Sequence, residues 1–168
     1  TMLISRRFFL SRVKILSFLN ELEATTGTAK SLYISSGLPL PEVENLLERM
    51  LDPQAIPPEL AKLTADSKTG AVIFWNPTRT LLVLPPFPIV TEYFTQDYFV
   101  EPLCSLLERD FRIALILVRL GAYAIGLCEG ESLIASKVGT GLIHGRHKQG
   151  GYSQQRFRRH REKQIEYF

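Results

Sequence analysis

The stretch RIALILVRLGAYAIGLCEGESLIASKV, residues 112–138, decides the fold class of this chain. It contains three apolar, β-rich runs that are separated by Gly121 and by the Glu-Gly-Glu turn at residues 129–131. Runs of this length between glycine-containing turns are typical of β-strands. Three consecutive strands joined by short turns predict an antiparallel meander.

The residues before this stretch mix helix and strand patterns. Amphipathic spacing predicts a helix over residues 3–24, and Pro41 stands at the first position of a second predicted helix. Shorter helices are predicted at 57–67 and 101–111, and strands at 31–35, 71–76, 78–86 and 88–94. We therefore predict an α/β fold in which helices flank a mixed sheet, within a single domain spanning residues 1–168.

Composition excludes several classes of protein. The chain has 168 residues, of which 45% are hydrophobic, as in a soluble globular protein with its own core. Its longest apolar stretch is interrupted by Arg119 and Gly121 and is shorter than the roughly 20 residues that span a bilayer. Cys104 and Cys128 are far apart, which argues against a disulfide framework. We expect a cytoplasmic protein with no membrane partner; the sequence indicates no oligomeric state.

Positive charge is concentrated at the end of the chain. Seven of the 20 Lys and Arg residues, but only two of the 17 acidic residues, lie in residues 144–168. The tail therefore carries a net charge of +5, whereas residues 1–143 carry −2. A slightly acidic body with a basic end indicates a polyanionic partner, because clustered cations gain affinity by releasing phosphate counterions.

This basic tail divides into a predicted loop and a predicted helix. Residues 139–152 form a glycine-rich loop that contains Arg146 and Lys148. Residues 153–168 form a helix with no stop signal, so we expect it to continue in a longer chain. Its cations occupy two neighbouring faces, Arg156, Arg159 and Lys163 on one and Arg158 and Arg161 on the other. An ordinary solvated helix is the alternative interpretation.

Nucleotide and metal sites are not supported by the same region. GTGLIHGRHK lacks the Gly-Lys-Ser/Thr ending of a Walker loop, and His144 stands where a dinucleotide-binding fingerprint needs its third glycine. His144 and His147 lie three residues apart, but no cysteine or carboxylate pair completes a zinc ligand set. We therefore predict no metal and no cofactor.

GGYSQQRFRRHR, residues 150–161, resembles the loop and helix of archaeal and eukaryotic class 1 translation release factors. Their pattern is Gly-Gly-Gln, a serine, and Arg-Phe followed by spaced arginines, but Tyr152 stands here in the place of the glutamine. Gly151, Tyr152, Ser153 and Gln154 instead fit the Gly-x-x-Gln (GxxQ) motif of the Vms-like release factor (VLRF) domains of ribosome-associated quality control. The resemblance implies the RNase H-like architecture of the release-factor catalytic domain.

By this resemblance the protein is a peptidyl-tRNA hydrolase that frees nascent peptides from stalled large ribosomal subunits. Gln154 takes the catalytic place, and Gly150 and Gly151 allow the motif to approach the ester. Its implied partners are the large subunit, ribosomal RNA and peptidyl-tRNA. The implied RNA-binding residues are Arg146, Lys148, Tyr152, Arg156, Arg158, Arg159, Arg161 and Lys163.

Three alternatives stay open at this point. Tyr152 either stacks on a base or packs internally. A noncatalytic ribosome- or RNA-binding module would use the same basic helix without cleaving an ester. A nuclease on an RNase H-like sheet would need a cluster of carboxylates with magnesium, and no such cluster can be assigned.

Overall fold

A computed structural model describes residues 6–52 and 56–141. The chain, for which the sequence predicts one release-factor-like domain, groups into two compact units, Thr1–Glu108 and Arg109–Phe168. Unit 1 contains four helices and four strands among its described residues. The helices are α1 (Arg12–Glu23), α2 (Leu40–Met50), α3 (Glu59–Asp66) and α4 (Glu101–Glu108). The strands are β1 (Lys30–Ile34), β2 (Ala71–Asn76), β3 (Arg79–Val83) and β4 (Tyr93–Thr95).

The four strands of unit 1 form one antiparallel sheet in the order β3-β2-β1-β4. Both faces of its central strands are buried, as continuous apolar runs predict. One face packs with α2 and α3 through Leu32, Ile34, Ile73 and Trp75. The other face packs with α1 and α4 through Tyr33, Val72 and Phe74. Helices therefore cover the sheet on both sides, and the α/β class is confirmed.

Two predicted elements of unit 1 are shorter in the structure. The helix predicted over residues 3–24 begins at Arg12, because the apolar side chains before Ile15 contact no core and Phe8 and Phe9 are exposed. The strand predicted over 88–94 is wrong except at its end, where β4 begins at Tyr93. Proline has no N–H to donate to a sheet, and the N–H of Ile89 donates to the carbonyl oxygen of Thr69 at 2.8 Å.

Two polar side chains of β1 attach residues 97–99 to the sheet. The buried Ser31 hydroxyl donates to the carbonyl oxygen of Asp97 at 2.7 Å and accepts from the N–H of Phe99 at 2.8 Å. The Tyr33 hydroxyl donates to the carbonyl oxygen of Phe99 at 2.6 Å, and its burial raises the pKa of Tyr33 well above the usual value. Buried polar groups need such partners, so both side chains fix this segment.

The described part of unit 2 is a three-stranded antiparallel meander. Its strands are β5 (Arg112–Arg119), β6 (Ala122–Glu129) and β7 (Ser132–Thr140), in that order. Gly121 and Gly130 have φ of 83° and 56°, the left-handed region in which glycine is favoured, and each lies in one of the two turns. The predicted meander is confirmed. The sequence predicted one mixed sheet, whereas the described strands form two sheets, each antiparallel throughout.

Candidate functional site

The meander ends where the predicted glycine-rich loop begins. β7 extends to Thr140, so Gly139 and Thr140, predicted as loop, belong to the strand. The N–H of Gly141 then donates to the carbonyl oxygen of Gly121 at 2.9 Å. This bond ties the start of the loop to the β5–β6 turn and fixes the end of the sheet from which the chain continues towards the GxxQ motif.

Tyr123 and Gly139 form the last cross-strand pair but one before that end. They are directly opposite each other in the β6–β7 register, and the Tyr123 ring covers the space in which a Cβ at Gly139 would lie. A glycine inside a strand pattern often marks such a close approach. The sequence analysis did not single out Tyr123, although Gly139 was a signal that a bulky partner would cover it.

Two exposed cations of the meander were also missed by the sequence analysis. Arg119 ends β5 opposite Ala122, which in turn lies opposite Thr140, so Arg119 is on the row of residues nearest the loop. Lys137 lies three residues before the end of β7. Only the strand register reveals that Arg119, distant in sequence from the basic tail, is at the same end of the sheet.

The sequence-predicted site residues lie outside the described residues. The set comprises the predicted catalytic residues Gly150, Gly151 and Gln154 and the predicted RNA-binding residues Arg146, Lys148, Tyr152, Arg156, Arg158, Arg159, Arg161 and Lys163. The predicted helix over 153–168 and residues 142–152 of the predicted loop lie outside them as well. The assignment of these residues therefore stays a prediction.

Metal and membrane sites can be examined in the described ranges. Within residues 6–52 and 56–141, no group of three or more His, Cys, Asp or Glu side chains is placed to hold a metal ion. No described helix is long and apolar enough to cross a bilayer. Cys104 and Cys128 are both free thiols, and burial raises the pKa of Cys104 with a further contribution from the negative charge of Glu108.

Residues 111–167 match the family model described as the Actinobacteria/Chloroflexi VLRF1 release factor. This range contains the whole meander and continues through the GxxQ motif at residues 151–154. The chain belongs to the release factor family. The resemblance predicted from residues 150–161 is confirmed by a match that extends well beyond them on both sides.

Two curated proteins of the release factor family are similar to this chain. Peptide chain release factor subunit 1 of Aeropyrum pernix is 28% identical over 193 aligned positions, which cover 98% of this chain and 52% of the relative. Peptide chain release factor subunit 1 of Archaeoglobus fulgidus is 30% identical over 91 positions, covering 53% of this chain and 22% of the relative. The chain thus spans about half the length of the first of these release factors.

Solved structures give a weaker likeness. A crystal structure of the archaeal translation termination factor aRF1 has a TM-score of 0.47 and 22% identity, over 95% of this chain and 49% of that one. A structure described as an archaeal protein has a TM-score of 0.45 and 23% identity, over 96% and 54% of the two chains.

Proposed function

We propose that this release-factor relative frees nascent peptides from stalled large ribosomal subunits by hydrolysing the ester between the peptide and its tRNA. One observation carries the proposal. The family match runs without interruption from β5 through the GxxQ motif and the basic residues after it, so the motif occurs in the sequence context of a release factor. A four-residue motif alone would be weak support.

Gln154 is the proposed catalytic residue, and its chemistry limits its role to positioning. A glutamine amide neither gives nor takes a proton at neutral pH, but its carbonyl oxygen accepts and its NH₂ group donates hydrogen bonds. It can therefore hold a water molecule against the ester carbonyl. Orientation and preorganised donors each lower a reaction barrier by several kcal/mol, about 2.7–4 for a single donor at an oxyanion.

The residues around Gln154 have proposed roles in access and anchoring. Gly150 and Gly151 keep the loop free of Cβ atoms where it enters the site. Tyr152 offers a ring that can stack on an unpaired base of the tRNA end. Ser153 is the proposed N-cap of the following helix, which would place Gln154 in its first turn.

Cations on both sides of the motif supply the proposed phosphate contacts. Arg146 and Lys148 precede it, and the arginines after it carry most of the +5 charge of residues 144–168. The described sheet adds Arg119 at the end from which the loop leaves. Phosphate contacts position a protein on RNA, while the groups at the ester decide the chemistry.

The experiment measures release of a labelled peptide from peptidyl-tRNA on isolated large ribosomal subunits. Gln154→Ala is compared with Gln155→Ala, which removes the same side chain one residue away. Both variants are used at concentrations that give equal subunit binding. We expect Gln154→Ala to slow release by about 100-fold or more, as for loss of one positioned donor, and Gln155→Ala to stay within about three-fold of wild type.

Two results would count against this proposal in different ways. Equal release by the two glutamine variants would remove Gln154 from the catalytic role. Salt-sensitive binding to the subunit without release by any form of the protein would support the noncatalytic RNA-binding module instead. Activity that requires added magnesium beyond the ribosome's own need would point to the nuclease alternative.

A further inference from the structure

The N-terminal segment, residues 6–14 with the sequence RRFFLSRVK, is exposed at every position. Phe8 is 70% and Phe9 98% exposed, and Leu10 and Val13 beside them are also exposed. An isolated exposed apolar side chain is ordinary, but consecutive large ones are costly in water and mark a surface that contacts something. The proposed catalytic site does not use this segment.

The charge of the same segment identifies the kind of partner. Arg6, Arg7, Arg12 and Lys14 give residues 6–20 a net charge of +4, with no Asp or Glu before Glu21. Residues 21–143 contain nine basic and fifteen acidic residues, a net charge of −6. The cations are therefore set apart from an acidic remainder, and charge complementarity selects a polyanion.

The basic surface continues along α1. Lys14 precedes Phe18 by four residues, so the two side chains lie on the same face of the helix. The guanidinium of Arg79, on β3, lies over the Phe18 ring at 6.0 Å from its centroid. Cations from a helix and a strand thus extend the N-terminal segment over the surface of unit 1.

The burial of α1 separates two polyanions, RNA and an anionic membrane. Interfacial helices insert a continuous apolar face into the bilayer. The apolar face of α1 is already used inside unit 1, where Leu19 and Leu22 are buried and Ile15 and Phe18 pack against the same cluster. What remains outside is a short run in which aromatic rings follow cations, the combination used by single-stranded nucleic acid sites.

We propose that the N-terminal segment binds single-stranded RNA. Phe8 and Phe9 stack on successive bases, while Arg6, Arg7 and Lys14 contact the phosphates beside them. The inference rests on the proposed function only in naming ribosomal RNA as the natural ligand. It gives the protein a second RNA contact, on unit 1, in addition to the basic tail of unit 2.

The test measures binding of a fluorescein-labelled 12-nucleotide oligouridylate to the full chain by fluorescence anisotropy over a range of KCl concentrations. Phe8→Ala/Phe9→Ala removes both rings and keeps the charge. Arg6→Gln/Arg7→Gln removes two charges and keeps the rings. The matched controls are Leu84→Ala/Val90→Ala, two other exposed apolar residues, and Arg49→Gln/Lys68→Gln, two other exposed cations.

Each variant has its own expected result. The double phenylalanine variant binds the oligonucleotide about 10-fold or more weakly, since each stacked base contributes strongly to affinity. The double arginine variant lowers the slope of log affinity against log salt by about 1.4, or about 0.7 for each single-strand phosphate contact. Both controls match wild type. Far-ultraviolet circular dichroism confirms that every variant is folded.

Two outcomes would overturn the inference. In the first, both test variants bind oligouridylate as the wild type does. In the second, Phe8→Ala/Phe9→Ala abolishes binding to vesicles of three parts phosphatidylcholine and one part phosphatidylserine but leaves RNA binding unchanged, which assigns the segment to a membrane surface. Peptide release that depends on Gln154 can survive either outcome, so failure here is distinguishable from failure of the proposed function.

Discussion

Ser31→Ala tests how unit 1 holds residues 97–99 against its sheet. The Ser31 hydroxyl is fully buried and makes two hydrogen bonds, donating to the carbonyl oxygen of Asp97 at 2.7 Å and accepting from the N–H of Phe99 at 2.8 Å. Alanine keeps the Cβ and removes only the oxygen. Two backbone groups then lose their partner in a place that admits no water.

The expected cost follows from these two bonds. A typical intramolecular hydrogen bond contributes about 1 kcal/mol, which gives roughly 2 kcal/mol for the pair. Leaving a buried donor and a buried acceptor unpaired adds about 1–2 kcal/mol, so Ser31→Ala should lower the free energy of unfolding by about 2–4 kcal/mol. That is a large part of the 5–15 kcal/mol typical of a small protein.

Ser35→Ala is the matched control. Ser35 follows the same strand, and its hydroxyl donates to the Glu92 carboxylate at 2.5 Å in a solvent-exposed position. Water can replace that bond when the hydroxyl is removed. Ser35→Ala should therefore cost no more than about 0.5 kcal/mol, the usual range for surface substitutions.

Urea unfolding followed by tryptophan fluorescence measures both variants. Trp75 is the single tryptophan of the sequence, lies on β2 beside β1, and is 6% exposed, so its emission reports on unit 1. With a slope of roughly 2 kcal/mol/M, the Ser31→Ala midpoint should fall by about 1–2 M. If the two variants lowered the midpoint equally, Ser31 would not hold residues 97–99 as described.

Two further substitutions test unit 2 and the core of unit 1. Gly139→Ala should destabilise the β6–β7 pair by about 1–3 kcal/mol, because its Cβ overlaps the Tyr123 ring, whereas at Gly126 a Cβ meets only the end of a leucine side chain at 3.2 Å. Hydrogen exchange of β6 and β7 amides measures the difference, and equal loss of protection in Gly139→Ala and Gly126→Ala would refute it. Tyr33→Phe should cost about 1 kcal/mol at pH 7 in urea unfolding, since the carbonyl oxygen of Phe99 loses its donor. Because burial raises the pKa of Tyr33, its contribution is present below pH 10 and is lost as the pH rises above it, so Tyr33→Phe should show a smaller alkaline loss of stability than wild type; parallel losses would contradict this.

The elements that were predictable from sequence are those whose signal is local. AVIFWN became β2 within its predicted bounds, since an apolar run of this kind fits a strand buried on both faces. Pro41 and the spacing of Val43, Leu47 and Met50 likewise predicted α2. The meander was predictable because glycines with the required positive φ separate its strands.

Errors arose where tertiary contacts decide the outcome. The apolar pattern before Arg12 resembles a helix face, but a helix there has no core to contact, and the helical pattern alone does not reveal this. Residues 88–92 are similar: Ile89 enters the core beside the sheet without joining it. Both errors come from partners distant in sequence.

The candidate site divides in the same way. The GxxQ motif and the arginines that follow it could be found from sequence because their spacing is local. Tyr123 and Arg119 could not, because each acquires its relation to the loop through the register of β6 with its neighbours. A sequence shows which residues are present near a motif, whereas a sheet decides which distant residues accompany them.

The attachment of residues 93–99 to β1 affects the order in which unit 1 folds. Tyr33 contacts the rings of Tyr93 and Phe99 at 5.6 and 6.2 Å and bonds a carbonyl group 66 residues away. The β2–β3 hairpin instead closes over a two-residue turn, in which the Asn76 carboxamide oxygen accepts from two backbone N–H groups. Since long loops are slow to close, the hairpin forms early and the edge strand β4 joins the sheet last, near the rate-limiting step.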